Sequence, residues 1–372
     1  MDLSLTANQQ QLKATVTEFM ERECPRARLV ELHDGDTGLD GSMWKKAAEI
    51  GLLGSLISEE HGGSGSSLMD AAIIFQALGN GPLEGPYFSS GILGSLVVQA
   101  CGSDEQKDQL LPGIALGSEV CVLAFPESDY GWTPNLVSTT AENRRGEFVV
   151  DGTKLFVHDA MSATQLLCVA RIDGQPGVSV VVIDADAEGV SRRPLKGFGG
   201  KVGEVKFNSV RVPKSSLLGG DFDVWQKLKA AIEKAIPILS AYQAGGCESV
   251  VDIGIQYSRT RKAFGVPIGR FQRVQDHIIE ALNRMDAAKW TAYEALSKLD
   301  SGKNAISSVH LAKAVASEGY YHACNFIHEA HGGIGTSREY GLTLHTEMSR
   351  SLYNYLGEPK YHRRQMVKSL LT

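Results

Sequence analysis

The spacing of the hydrophobic residues changes twice along this chain of 372 residues. Up to about residue 115, apolar side chains recur every three or four positions, which is the period of an amphipathic helix. From about residue 120 to residue 218 the period is two, as in strands with one buried face. From Trp225 to the end the helical period returns. The pattern therefore predicts helices at both ends of the chain and β-structure between them.

The first part of the chain is predicted to hold helices that are separated by glycine-rich turns. Thr6 suits the N-cap of a helix beginning at Ala7, because its hydroxyl can accept a bond from a free amide of the first turn. Glycine and proline residues then mark the helix ends. Further helices are expected at Trp44–Gly54, Leu68–Leu78 and Gly91–Cys101, the last of which is apolar nearly all round and is expected to be buried.

The middle part reads as short strands that are bounded by Gly, Pro, Asn or Asp. No helical segment separates these strands, which favours an antiparallel sandwich or barrel over a parallel α/β sheet. The expected strands are Val120–Phe125, Thr139–Ala141, Glu147–Asp151, Gln165–Ala170, Val178–Ile183 and Glu204–Val212.

The last part predicts a four-helix bundle, because four long helical segments follow one another with short connections. Only Pro237 resists this assignment, since proline removes a helix hydrogen bond. The fold class is α+β, with an all-helical domain at 1–117, a β domain at 118–222 and the bundle at 223–372. The four helices are expected at Trp225–Thr260, Phe271–Leu299, Asn304–Ala330 and Leu342–Tyr355.

Composition narrows the functional classes. The chain is 43% hydrophobic and 22% charged, as in ordinary globular proteins. A net charge of -6 argues against a general nucleic-acid binder, which needs a positive face. The six cysteines are scattered, and no metal-ligand motif is found. No apolar run approaches the roughly 20 residues of a membrane span, so we expect a soluble cytoplasmic protein.

The most distinctive stretch is Tyr257–His277, which joins the first two helices of the bundle. Four of its cationic side chains lie within a dozen residues, at Arg259, Arg261, Lys262 and Arg270. Arginine side chains beside a helix N-terminus are suited to binding a diphosphate. The alternative is a solvated basic corner without a ligand.

A second stretch, His331–Gly335, places three glycines after a helix. A dinucleotide-binding fingerprint must follow a strand, so the Rossmann interpretation is excluded. What remains is either a turn that lets the backbone approach a ligand or a plain helix C-cap. His328 and His331 do not form a zinc motif with a third ligand.

Taken together, these stretches resemble the acyl-CoA dehydrogenase family over nearly the whole chain. The segments that carry the resemblance are Gly51–Gly63, Phe125–Asp129, Asp151–Val157, Arg261–Gln272 and His331–Gly335. The resemblance implies an FAD-dependent enzyme that desaturates an acyl-CoA thioester and passes electrons to an electron-transfer flavoprotein. In such an enzyme a glutamate removes the α-proton, while the β-hydrogen leaves as hydride to the flavin.

The resemblance also implies site residues. Arg261, Phe264 and Gln272 would contact the FAD of a neighbouring subunit, and Gly332 and Gly333 would pass beside its adenosine diphosphate part. Glu329 stands where the family has a glutamine. An acid there would repel a phosphate unless it is paired or turned away.

The catalytic base is missing from both positions in which family members place it. One position is Leu356, and the other, 26 residues before Arg261, is Ala235. Glu358 and Glu233 each lie two residues away. Glu358 is the candidate catalytic residue, although a shift of two residues turns a side chain in another direction.

These departures predict a subunit that lacks the base and works with a homologous acyl-CoA dehydrogenase subunit. Heterotetramers of that kind are known in bacterial steroid side-chain degradation, and Lys154–Ala160 and Leu356–Arg364 resemble segments of such chains. Two alternatives stay open. One is a self-sufficient homotetramer that uses Glu358, and the other is a flavin oxidase or a non-catalytic scaffold on the same fold.

Overall fold

The computed structural model describes residues 4–197 and 200–371. Within them, the N-terminal part is helical, as predicted. Side chains at the helix starts explain several of the boundaries: Thr6, Ser67 and Ser103 each form a capping box with the third residue of the helix that follows. The helices are α1 (Ala7–Glu23), α2 (Arg26–Asp34), α3 (Gly41–Glu49), α4 (Leu68–Asn80), α5 (Ser95–Cys101) and α6 (Asp104–Leu116), with a π-helical segment at Ser89–Gly94 before α5.

The central strands form a sheet in the order β1-β4-β2-β3-β7-β6, with β5 pairing on β4. The prediction of a purely antiparallel sheet was wrong for two pairs, because β1 and β2 both run parallel to β4. One strand, β3, intervenes between β2 and β4 and reverses the chain, so β4 returns in the direction of β2. The strands are β1 (Cys121–Ala124), β2 (Thr140–Arg144), β3 (Glu147–His158), β4 (Gln165–Ile172), β5 (Ser179–Asp184), β6 (Val190–Pro194) and β7 (Val202–Pro213).

Strand β3 is longer than the sequence predicted, and it contains an irregularity. Its pairing with β7 shifts register between Lys154 and Val157. Phe156, inside that interval, has a left-handed φ of 55°. A bulge of this kind bends a strand and redirects a side chain, so the alternating pattern on which the prediction relied is interrupted there.

The C-terminal part contains the four predicted helices and one that was missed. They are α7 (Trp225–Thr260), α8 (Gln272–Asp300), α9 (Ile306–His331) and α10 (Leu342–Tyr353), followed by α11 (Pro359–Leu370). Helix α9 packs against α8, α10 and α11. Pro237 lies within α7 without ending it. Helix α11 was missed because it is strongly polar and basic, and buries only Pro359 and His362.

By its internal contacts the chain divides into two compact units. One contains the residues up to Asp34, Ser67–Leu83 and the chain from Ile236 onwards, and the other contains Gly35–Ser66 and Glu84–Ala235. The predicted domain boundaries at 117 and 222 follow chain order, and they stay a prediction. Among the residues described, no helix is long and apolar enough to cross a membrane. The same residues contain no cluster of metal-ligating side chains.

Candidate functional site

The basic corner between α7 and α8 folds as a small hairpin. Lys262–Ala263 (β8) pairs with Val266–Pro267 (β9), and α8 begins at Gln272. Phe264 lies at the tip with a left-handed φ of 52°, and 96% of its surface is exposed. This backbone conformation is strained for phenylalanine, and the side chain is not buried within its own chain. Both properties are typical of a residue that contacts another molecule.

Arg261 is held through its backbone, while its side chain is exposed. Its N–H donates to the carbonyl of Tyr257 at 2.8 Å, and its own carbonyl accepts from the N–H of Ile268 at 2.9 Å. The guanidinium therefore projects from a fixed point of the hairpin.

The glycine turn after α9 is open to solvent at its first two positions. Gly332 has a φ of 62°, in the left-handed region that favours glycine. A Cβ built at Gly332 or Gly333 would have no atom within 4 Å, whereas Gly335 is enclosed by His328 and His331. The exposed backbone of the turn can thus be approached closely by a bulky ligand.

The hairpin and the glycine turn are brought together by aromatic contacts. The rings of Tyr257 and His331 are stacked, with centroids 4.1 Å apart and 18° between their planes. Tyr340 contacts both rings edge-on. Sequence reasoning singled out the two stretches but not this connection, because the spacing of the residues carries no signal of the contact.

Glu329 has a histidine neighbour on α8. One of its carboxylate oxygens lies 3.4 Å from Nε2 of His277, while the acid itself is 59% exposed. When the His277 imidazole is protonated, it reduces the negative charge that counted against phosphate binding in the sequence.

Neither of the two expected base positions carries a carboxylate. Leu356 is buried, 1% exposed, and has a left-handed φ of 61°. Ala235 is fully buried on α7. Glu358 is exposed at the N-cap of α11, and its carbonyl accepts from the N–H of His362 at 3.1 Å.

Glu233, the acid near Ala235, is nearly buried. Burial raises the pKa of Glu233, and the ammonium of Lys229, 3.5 Å away, opposes that rise. This carboxyl has the properties of a proton acceptor. Its position, two residues from Ala235 on a helix, points it to another side of α7.

A buried network lies behind Leu356. The carbonyl of Leu356 accepts from Nε2 of His362 at 3.0 Å, so Nδ1 of His362 is left to accept from Nδ1 of His310 at 2.9 Å. Burial, together with the nearby Lys313 and His310, lowers the pKa of His362 to about 2. The turn at Leu356 is therefore held by a neutral imidazole.

Lys313 completes this network. Its ammonium donates to Ser317 Oγ at 2.6 Å and to the carbonyls of Leu352 and Tyr353 at 3.0 and 3.3 Å. Burial lowers the pKa of Lys313 to about 7. The lysine thereby satisfies the last carbonyls of α10, immediately before the Leu356 turn.

In the other unit, the two β segments singled out by the sequence are joined by a buried ion pair. Nζ of Lys154 lies 2.8 Å from Oε1 of Glu127 and 3.3 Å from the carbonyl of Phe125. Glu127 also accepts from the backbone and hydroxyl groups of Ser138 and Thr139. Burial opposes the charged form of Glu127, but Lys154 and these donors prevail and lower its pKa to about 2.

Three models of one protein family match the chain in order. They are the acyl-CoA dehydrogenase N-terminal domain over residues 6–118, the middle domain over 123–210 and the C-terminal domain over 228–371. The chain belongs to the acyl-CoA dehydrogenase family. Members of this family are FAD-dependent oxidoreductases, so the predicted family, enzyme class and cofactor are confirmed.

Individual relatives agree with this assignment. Acryloyl-CoA reductase (NADH) of Anaerotignum propionicum is 27% identical over 381 residues, covering 100% of this chain and 96% of the relative. The probable acyl-CoA dehydrogenase YngJ of Bacillus subtilis is 27% identical and covers 92% of each chain.

Solved structures confirm the predicted fold class. Butyryl-CoA dehydrogenase from Megasphaera elsdenii superposes with a TM-score of 0.92 at 20% identity, covering 100% of each chain. The ChsE4–ChsE5 complex from Mycobacterium tuberculosis gives a TM-score of 0.90 at 23% identity, covering 100% of this chain and 99% of that one.

The residues of the corner fit an FAD diphosphate. The turn at Gly332 and Gly333 leaves open the volume that side chains would fill, and Arg261 supplies an exposed guanidinium. The first amides of α8 add a helix N-terminus after Arg270. An FAD diphosphate placed at this corner would meet these groups.

Proposed function

We propose that this chain is a subunit of a hetero-oligomeric acyl-CoA dehydrogenase, that it lacks the catalytic carboxylate, and that it supplies part of an FAD site. The observation that carries the proposal is Leu356, a buried aliphatic side chain at one expected position of the base. Ala235, at the other position, is equally unable to accept a proton. The group that takes the α-proton must then belong to another chain.

The local structure around Leu356 supports this proposal. Moving Glu358 into the position of Leu356 would break the bond between His362 and the Leu356 carbonyl. Gly357, at a φ of 116°, also leaves little freedom, since a Cβ there would lie 2.7 Å from His362 Nε2. The turn is thus built to keep an apolar residue inward and Glu358 outward.

Solved structures of unlike acyl-CoA dehydrogenase chains in one assembly offer a precedent. One is the ChsE4–ChsE5 complex, and another is the Tcur3481–Tcur3483 steroid acyl-CoA dehydrogenase, with a TM-score of 0.87 at 23% identity. Such assemblies support a homologous subunit as the partner, and an acyl-CoA from fatty-acid or steroid side-chain degradation as the substrate.

Within such an assembly, this chain binds and orients. FAD, when bound, accepts the hydride from the β-carbon of the acyl thioester. Arg261 and the turn at Gly332 and Gly333 hold its diphosphate, while Phe264 and Gln272 extend across the subunit boundary. The partner's carboxylate takes the α-proton. We further propose an electron-transfer flavoprotein as the electron acceptor and the cytoplasm as the location.

Flavin stoichiometry tests the proposal. The chain would be purified alone and after co-expression with a homologous subunit encoded nearby, and FAD per chain would be measured by absorbance. In the chain alone we expect little FAD and no bleaching by acyl-CoA. In the pair we expect bound FAD that acyl-CoA bleaches. A yellow homo-oligomer that acyl-CoA bleaches would contradict the proposal.

The self-sufficient enzyme remains the second candidate, with Glu358, an acid two residues from Leu356 at the start of α11, as its base. Glu358→Gln should then abolish turnover of the chain alone, while the exposed Glu339→Gln should not. Equal activity of both variants would exclude Glu358 as the base. Peroxide formation during turnover would instead identify an oxidase, and one structural neighbour, the prolyl acyl carrier protein oxidase AnaB, is named for that activity.

A further inference from the structure

The bonding of His331 fixes its tautomer. Nδ1 lies 2.7 Å from the carbonyl oxygen of Ile327, which can only accept, so Nδ1 carries a proton. In the neutral ring Nε2 is then the acceptor, and the Tyr340 hydroxyl, 2.9 Å away, donates to it. Burial lowers the pKa of His331 and so favours this neutral form.

The three rings also connect the segments that face the cofactor. Tyr257 lies in the last turn of α7, and its carbonyl holds the N–H of Arg261. His331 ends α9 and directly precedes Gly332. Tyr340 belongs to the turn that follows the glycines. A shift of any one ring would therefore move the Arg261 hairpin relative to the glycine turn.

The stack leaves little room for independent movement of its parts. His331 is packed on Tyr257 with 4.1 Å between ring centroids, is tied to its own helix through Ile327, and is closed on its other edge by Tyr340. Side chains that are locked by packing and hydrogen bonds to one another are how proteins preset a binding geometry. A preset site avoids the cost of ordering when the ligand arrives.

We propose that the Tyr257–His331–Tyr340 cluster positions the two parts of the FAD diphosphate site, so that Arg261 and the Gly332–Gly333 backbone are held in register before FAD binds. This inference rests on the proposed function, and it adds three residues to the cofactor site. None of the three is a catalytic residue. They act through the segments that they hold.

The test uses the assembly that carries FAD, whether that is the chain alone or the co-expressed pair. After removal of the cofactor, FAD is titrated back and its fluorescence followed, which gives Kd and the dissociation rate. Tyr340→Phe keeps the ring and loses one hydrogen bond, so Kd should rise about five- to tenfold. His331→Phe keeps a ring in the stack but loses both bonds, and should weaken binding further.

Tyr293→Phe is the matched control. It also keeps its ring and loses one hydrogen bond, to Gln76 Oε1, but it lies outside the Tyr257–His331–Tyr340 cluster, so its Kd should stay within about twofold of wild type. The thermal stability of each apoprotein is measured alongside, because a purely structural role would lower the melting temperature and leave the Kd unchanged.

The outcomes separate the two proposals. An unchanged Kd in Tyr340→Phe and His331→Phe, with wild-type protein binding FAD normally, would overturn the positioning role alone. Failure of both the chain and the pair to bind FAD would overturn the proposed function, and the positioning role with it. Weaker FAD binding in both variants at an unchanged apoprotein melting temperature would support the positioning role, in a homo-oligomer as well as in the pair.

Discussion

Removing one partner of the buried pair between Lys154 and Glu127 should destabilise the β unit strongly. Lys154 is fully buried, and Glu127 is 7% exposed. Lys154→Met leaves a buried carboxylate without its cation, and Glu127→Gln leaves a buried ammonium without its anion. Breaking a buried pair from one side costs about 3–5 kcal/mol, because the remaining charge is not compensated.

The lowered pKa of Glu127 gives a second value for the stability that the buried pair contributes. The pKa of Glu127 is lowered from 4.5 to about 2. A shift of that size corresponds to about 3 kcal/mol. Because the folded pKa is the lower one, this contribution is complete above about pH 4.5 and is lost as the pH falls towards 2. Lys154→Met should therefore flatten the loss of stability on acidification.

Urea unfolding followed by tryptophan fluorescence is the assay. Trp132 and Trp225 lie with ring centroids 5.4 and 6.0 Å from that of Phe125, whose carbonyl accepts from Lys154, so they report on this region. The control is Arg144→Met, which breaks an exposed pair with Glu142 and should cost under about 1 kcal/mol.

A double variant, Lys154→Met with Glu127→Gln, should cost less than the two single changes added together. A loss in Lys154→Met no larger than that in Arg144→Met would refute the reasoning.

Three further predictions concern the unit that contains the bundle. Lys313→Met should reduce the rise of unfolding free energy between pH 7.5 and 8.5 by about 1 kcal/mol, because the pKa of Lys313 is lowered to about 7 and mainly the unfolded chain binds that proton there; an equal rise in wild type and variant, measured by urea unfolding, would contradict this. In the chain purified without its partner, Leu356→Glu should introduce exchange of the substrate's α-hydrogen in deuterated water, and Leu356→Gln should not; equal exchange by the wild-type chain alone would show that it already contains a base. Gly246→Ala should lower the melting temperature by several degrees, because its Cβ would lie 2.3 Å from the Tyr320 ring, and an unchanged value would show that α7 and α9 can separate without cost.

Local patterns in the sequence predicted most of the elements, and their failures have identifiable causes. The helical period predicted both ends of α7 correctly, although Pro237 lies inside the helix. β6 was missed because Val190–Pro194 carries a polar Ser-Arg-Arg run and, among the described strands, pairs only with β7. The parallel pairing of β1 and β2 with β4 was missed for another reason, since it depends on the path of the chain rather than on any local spacing.

In the candidate site, too, features with a local sequence pattern were predicted, and features that depend on the folded chain were not. The basic hairpin and the glycine turn were recognised, because their residue types are unusual at that spacing. The stacking of Tyr257 on His331 could not be predicted, since it joins residues from two helices that are far apart in sequence. The left-handed backbone of Leu356 was equally hidden, because leucine gives no signal for it.

The exposure of Phe264 has a consequence for the life of the chain in a cell. An exposed phenylalanine whose ring centroid lies 6.1 Å from that of the partly exposed Phe271 forms a surface that chaperones and aggregating chains bind. In the proposed hetero-oligomer, chains made in excess of their partner would display this surface for as long as they stay unassembled. Balanced synthesis of the two subunits would therefore matter for the abundance of this chain as well as for its activity.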